Sequence, residues 1–196
     1  MANAALKQPT TLDEFLAWEE RQPERHEFVD GRIYGMAGGT GRHDRLTRQV
    51  ANALERALGD RPCVVYGPNV KVTTPSGVST YPDTFVRCGP DDELSTVRND
   101  PIASFEVLSP GNVHYDLKRK RRHYETIPSL RLIGFVWPDT VAVSFAVRAD
   151  EGSPWRDGAA EGLDAVLAVD PLGIAIAMRD VYARTELARE AEAALG

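Results

Sequence analysis

The sequence is poor in several things, and each shortage narrows what the chain can be. Only 2 of its 196 residues are cysteine. Cys63 and Cys88 are too few for a disulfide framework, and neither stands in the CxxC or Cys/His spacing of a zinc site. This usage suggests a reducing cytoplasm. No apolar run approaches the ~20 residues of a membrane helix, and the N-terminus, Met-Ala-Asn-Ala-Ala-Leu-Lys-Gln-Pro, lacks the apolar core of a signal peptide. An excess of positive charge is also missing: 23 Lys and Arg against 29 Asp and Glu leave a net charge of -6. Non-specific affinity for a polyanion comes mostly from cations that neutralise phosphates, so a broad nucleic-acid-coating surface is excluded. Any contact with DNA has to be local.

What is there suits a soluble globular chain. With 42% hydrophobic residues and this length, the sequence can bury the core of one domain. No internal repeat is found. Residues 1–10 read as an extension, 11–183 as a single domain, and the Ala/Glu/Arg-rich stretch 184–196 as a tail, a frayed helix. Thr11 and Glu14 form a T-x-x-E helix start, followed by Leu12, Phe15, Leu16 and Trp18, with Pro23 as the stop. Asp30-Gly31 between His26–Val29 and Arg32–Tyr34 is the signal of a two-residue hairpin turn. After Gly38-Gly39-Thr40-Gly41, residues Leu46, Val50, Ala53, Leu54, Ala57 and Leu58 line one face of a helix that Gly59 stops.

Short β-branched runs predict strands at Cys63–Tyr66, Val70–Val72, Tyr81–Arg87, Ile102–Val107, Leu130–Trp137, Val141–Val147 and Leu163–Val169. A charged helix is expected over Tyr115–Tyr124, a loop over Glu151–Gly162, and a closing turn or short helix over Pro171–Tyr182. The pattern predicts an α/β or α+β fold with a central mixed sheet flanked by helices.

Three carboxylates sit in or beside apolar strands, where an ionised group costs several kcal/mol unless it finds a partner. They are Glu27, Asp83 and Glu106. If the strands of Asp83 and Glu106 are neighbours, their oxygens can converge, and hard oxygen ligands favour Mg²⁺ or Mn²⁺ over zinc. The plainer alternative is that such residues face solvent. On the helix that follows, Asp116, Lys120 and Tyr124 share a face. The run Lys118-Arg119-Lys120-Arg121-Arg122 is either a solvated surface or the local phosphate-binding patch that the net charge demands. Gly38–Gly41 lacks the G-K-[ST] of a phosphate-cradling loop.

In combination, E-F-V-D-G-R-I at 27–33, the Gly-rich loop ending in His43, Y-P-D at 81–83, F-E-V-L-S-P at 105–110 and D-x-x-x-K-x-x-x-Y at 116–124 resemble the Uma-type restriction endonuclease family. That family belongs to the PD-(D/E)XK nuclease superfamily. The resemblance spans about Thr11 to Tyr182, with a looser match around Trp137-Pro138-Asp139. It implies a restriction-endonuclease-like core and a metal-dependent endodeoxyribonuclease. Asp83 and Glu106 would hold Mg²⁺ or Mn²⁺, joined by the carbonyl of Val107. The position two after Glu106, lysine in the superfamily pattern, is Leu108, and Lys120 matches the family's relocated lysine.

Glu27 would complete the metal shell or hold Lys120. Tyr124 reads as a packing residue whose hydroxyl reaches a polar neighbour. His43 would contact phosphate or move a proton, or serve only at the helix start; Lys118 and Arg119 would meet the DNA. A homodimer is implied for cutting both strands. The competing reading is a catalytically inactive nuclease-fold protein that binds nucleic acid or a protein partner.

Overall fold

The computed structural model describes residues 9–36, 38–109 and 115–193, with Tyr115 and Asp116 described by their backbone alone. Thr11 caps helix α1, Leu12–Glu19, accepting from the Glu14 amide. The returning bond of Glu14 goes to the amide of Thr10 at 2.8 Å. The helix ends four residues before Pro23, with Glu20 as its C-cap. Strands β1, His26–Val29, and β2, Arg32–Gly35, pair around Asp30 and Gly31. Both turn residues have positive φ, 49° and 74°, as a type I′ turn requires. Helix α2, Gly41–Leu58, is capped by Thr40 and buries Leu46, Val50, Ala53, Leu54 and Leu58.

Expected strands appear as β3, Cys63–Tyr66; β4, Lys71–Thr73; β6, Thr84–Cys88; and β8, Ala103–Val107, and two short strands that the sequence did not announce join them, β5, Ser79–Thr80, and β7, Val97–Arg98. A helix with wide π-type turns, Tyr115–Lys120, then tightens into α3, Arg121–Tyr124. Strands β9, Leu132–Val136, and β10, Ala142–Val147, follow it. Two longer strands also break the sequence-based expectation. Arg156–Glu161, read as loop, is β11, an outer strand whose RDGAAE sequence carries almost no apolar signal. Ile174–Ala177, read as a turn or helix, is β13, which pairs with β12, Val166–Val169. Helices α4, Met178–Val181, and α5, Glu186–Ala193, close the described chain, and Ala188 of α5 is buried against the core.

The expected central mixed sheet has six strands, and a second sheet and a two-stranded ribbon accompany it. Six strands run in the order β11-β10-β9-β8-β6-β3, with β8 and β9 parallel and the others antiparallel. Five form the order β2-β1-β5-β4-β7. One face of the six-stranded sheet packs Val86, Ala103, Phe105 and Val107 against α2. Phe85, Ile133 and Phe135 pack with Leu108 and with Tyr124 of α3 in a second cluster. Because side chains alternate along a strand, Glu106 points away from α2, toward the side of α3.

The cysteines, expected to be unpaired thiols, are directly opposed across β3 and β6 and form a disulfide with a Cα–Cα distance of 3.9 Å. Among the described residues no helix is long and apolar enough to cross a membrane.

Candidate active site

The antiparallel register of β6 on β8 pairs Thr84 with Phe105. Carried on by one residue, it sets Asp83 opposite Glu106. Asp83 lies just ahead of β6, where Pro82 fixes the chain direction, and its Oδ2 accepts the Val107 amide at 2.8 Å. That bond takes up an N–H that the end of the strand leaves without a ladder partner. Glu106 is 3% exposed, inside a strand whose five residues are all buried.

Burying a carboxylate so deeply is tolerable only with partners, and Glu106 has them on both oxygens. Lys120 Nζ lies 3.0 Å from Oε2, and the Tyr124 hydroxyl donates to Oε1 at 2.5 Å. Burial, with the Glu106 charge beside it, pushes the Tyr124 hydroxyl well up, so it remains a donor. Thr80 Oγ1 lies 2.9 Å from the same hydroxyl and fixes its direction. Lys120 also reaches Glu27 Oε1 at 3.4 Å, and that oxygen accepts the Tyr81 amide at 3.2 Å. Lys120 and Tyr124, four residues apart, thus serve one carboxylate from successive turns. The Asp116 side chain, expected on that face, lies outside the described residues.

His43 is both a helix-start residue and a site residue. Its amide bonds Thr40 Oγ1 at 3.2 Å, and its Nε2 lies 3.2 Å from Asp83 Oδ2. The hydrogen bond to Asp83 raises the His43 pKa above the ordinary imidazole range against the opposing pull of burial, and the charge of Glu106 and the Val107 carbonyl add to it. Val107 therefore presents its amide to Asp83 and its carbonyl toward His43.

The donor set offered to a metal is oxygen throughout: Asp83, Glu106 and the Val107 carbonyl. Asp83 Oδ1 takes no hydrogen bond among the described residues, so it keeps its lone pairs for a ligand. A hard divalent cation that retains several waters fits such a set. Among the described residues no group of three or more His, Cys, Asp or Glu is disposed to hold an ion.

Of the basic run, Lys118 is exposed, and Arg119 pairs with Asp30 through Nε at 2.8 Å. Sequence reasoning missed a second buried polar cluster behind the site. Lys71 Nζ and the Tyr81 hydroxyl each lie 2.6 Å from an oxygen of Glu19. Burial pushes the Glu19 carboxyl up, but the bonds from Lys71 and Tyr81 outweigh it and hold the group below its usual range. A lysine within the β-branched run Val70-Lys71-Val72 was the available signal.

A sheet carrying paired carboxylates at one strand seam, with a lysine delivered from the next helix, defines a nuclease-type core, and comparison with known proteins agrees. The sequence profile of the Uma2 family, described as "Putative restriction endonuclease", matches residues 12–179. The chain belongs to that family. An uncharacterised protein of Synechocystis is 33% identical over 142 residues, 71% of this chain and 75% of its own length. A second from the same organism is 31% identical over 126 residues, 62% of this chain and 71% of its own. The crystal structure of a "putative nuclease belonging to DUF820" from Anabaena variabilis superposes with a TM-score of 0.69 at 19% identity, covering 89% of this chain and 98% of that one. At that identity the likeness is one of fold.

Proposed function

We propose that this protein is a cytoplasmic endonuclease that hydrolyses phosphodiester bonds of DNA with a bound Mg²⁺ or Mn²⁺ ion, through Asp83, Glu106, Lys120 and Glu27. The observation that carries this reading is the approach of Lys120 Nζ to Glu106 at 3.0 Å beside Asp83. An amine from a separate helix meets a buried carboxylate at the seam whose register also brings up Asp83. Asp83, Glu106 and the Val107 carbonyl would hold the ion. When bound, it would lower the pKa of a water and polarise the phosphate.

The chain's own groups then divide the work. Tyr124 keeps Glu106 Oε1 engaged and leaves Oε2 to Lys120, so the carboxylate is fixed in direction for an ion it would help to hold. Glu27 holds the Lys120 ammonium within the site, where it orients the attacking water and stabilises charge on the phosphoryl oxygens. His43, 3.2 Å from Asp83, would contact the phosphate or move a proton beside it. Lys118 and Arg119 meet flanking phosphates. A homodimer would bring two such sites to the two strands.

Plasmid DNA incubated with the protein and Mg²⁺ or Mn²⁺ should be nicked or cut, and Asp83→Ala and Glu106→Ala should each abolish the cutting. Retained cleavage in both variants would sink the assignment. A second reading is a nuclease-fold protein that binds without cutting, since a fold does not fix its function. Calorimetric titration separates the two, because the binding module predicts no uptake of Mg²⁺ or Mn²⁺ by the intact protein.

A further inference from the structure

Three side chains of one helix face converge on a single carboxylate from the β1–β2 hairpin, 89 positions before Arg119 in the chain. Arg119 grips Asp30 Oδ2 through Nε at 2.8 Å and its terminal nitrogen at 2.7 Å. Arg122 stands 4.0 Å from the same oxygen, and His123 Nε2 stands 3.2 Å from Oδ1. Positions 119, 122 and 123 are neighbours on a helix surface. The pairing is open to solvent, with Asp30 and Arg119 side chains each 36% exposed and Arg122 71% exposed. Ion pairs so exposed contribute little to stability, so the fold has small use for this one.

One member of the group is badly served by its partner. His123 is 5% exposed, and Ser76 Oγ lies 2.9 Å from its Nδ1, which fixes the ring. Its Nε2 is aimed at the Asp30 carboxylate yet makes no hydrogen bond of acceptable geometry among the described residues. A planar carboxylate satisfies the arginine fork and leaves the imidazole unsatisfied. A tetrahedral group with more oxygens could serve both, and a guanidinium fork binds phosphate as readily as carboxylate.

We infer that Arg119, Arg122 and His123 form a phosphate subsite, and that Asp30 occupies it in the free protein as an internal stand-in for a backbone phosphate of the nucleic acid. The inference rests on the phosphodiesterase reading above and deepens it. Lys120 reaches Glu106 from the same helix whose other side carries Arg119, so the subsite would take a different phosphate of the bound strand from the one that reacts. Asp30 is suited to yield. It sits at the tip of a hairpin whose pairing, from His26 with Gly35 to Val29 with Arg32, does not involve its side chain. The device selects for a polymer: a chain with two phosphates in register displaces the carboxylate, whereas a mononucleotide at Lys120 does not reach it.

The test is the affinity of a fluorescently labelled DNA duplex, measured by anisotropy without metal across a salt series, so that binding is read apart from cleavage. Asp30→Asn keeps a residue that tolerates positive φ in a type I′ turn, and Asp30→Gly serves as a second variant should the melting temperature of the first fall. Both should bind the duplex tighter, about fivefold, with a salt dependence steeper by roughly one phosphate contact. Arg119→Gln should weaken binding, and the gain from Asp30→Asn should vanish in the double variant. If wild type binds measurably and the Asp30 variants bind no tighter, the stand-in role is overturned and the nuclease reading is untouched. If neither wild type nor any variant binds, with or without Mn²⁺, both fall.

Discussion

Lys71 and Lys120 are both buried lysines paired with glutamate, at 4% and 7% exposure, and they differ in what completes the pair. At Lys71 one ammonium meets one carboxylate. The second Glu19 oxygen is taken by the Tyr81 hydroxyl, and the cluster ties α1 to the strands behind the site. It is neutral and closed. At Lys120 one ammonium lies between Glu106 and Glu27, and Asp83 lies across the strand seam. Among the described residues that is one lysine among three carboxylates, with His43 as the remaining basic group. Desolvation makes an isolated buried ion expensive, so a cluster with surplus negative charge is stable only if more positive charge can enter. On the proposed reading, the neutral pair serves the fold and the cluster richer in carboxylates would receive a cation.

The widest separation between the two regions should come from removing the surplus. Asp83→Ala or Glu106→Gln should lower cleavage on the order of 10³-fold or more, as loss of a group that acts on the transition state does. The melting temperature of Glu106→Gln should hold or rise, because like charge has been relieved, while Asp83→Ala should also lose about 1–3 kcal/mol through the stranded Val107 amide. A large fall in melting temperature with activity preserved would invert the comparison.

Lys71→Met should do the reverse. It strands Glu19 as a buried charge, a loss of about 3–5 kcal/mol in denaturant unfolding, while cleavage per folded molecule stays near wild type.

Two glycines sharpen the contrast at lower cost. A Cβ at Gly134 would meet the Phe105 ring at 2.4 Å, and one at Gly158 would meet the Phe145 ring at 2.5 Å. Each alanine variant should lose roughly 1–3 kcal/mol through overpacking. Phe105 is the residue before Glu106, so Gly134→Ala should also depress activity, and Gly158→Ala should not.

The smallest effect is one of pH. The folded-state pKa of Glu19 lies below its ordinary 4.5, so its contribution to stability is present above that value and is lost as pH falls through the folded pKa. Glu19→Gln should flatten the acid limb of a melting-temperature profile. An acid limb identical to wild type would show that the pair does not carry it.

How far the sequence foretold all this follows from what each segment must satisfy. The Asp30-Gly31 hairpin, the face of α2 and strand β3 were legible because turn chemistry and periodicity act locally. Strand β11 was not, since Arg156–Glu161 is held at the outside of the sheet by its ladder with β10 rather than by burial of side chains. The division into two sheets depends on partners far apart in the chain, which no local pattern encodes. Asp83 and Glu106 stood out because charge within apolar strands has few explanations. Glu19 did not, because among Trp18-Glu19-Glu20-Arg21 a carboxylate looks like ordinary helix surface. Tyr124 was read as packing with a polar contact, and the structure gives that contact a specific address, Glu106.

The Cys63–Cys88 link closes a ring whose ends are 25 positions apart in sequence, and both clusters have members inside it. Lys71 and Tyr81 of the neutral group and Asp83 of the charged one lie on that loop. In the unfolded chain the link would remove configurational freedom worth roughly 3.5 kcal/mol, and reducing conditions would restore it. The fold of both regions is therefore coupled to the thiol–disulfide poise of their surroundings: in a reducing cell the same two residues are thiols, and the segment carrying Asp83 must be held by packing and hydrogen bonds alone.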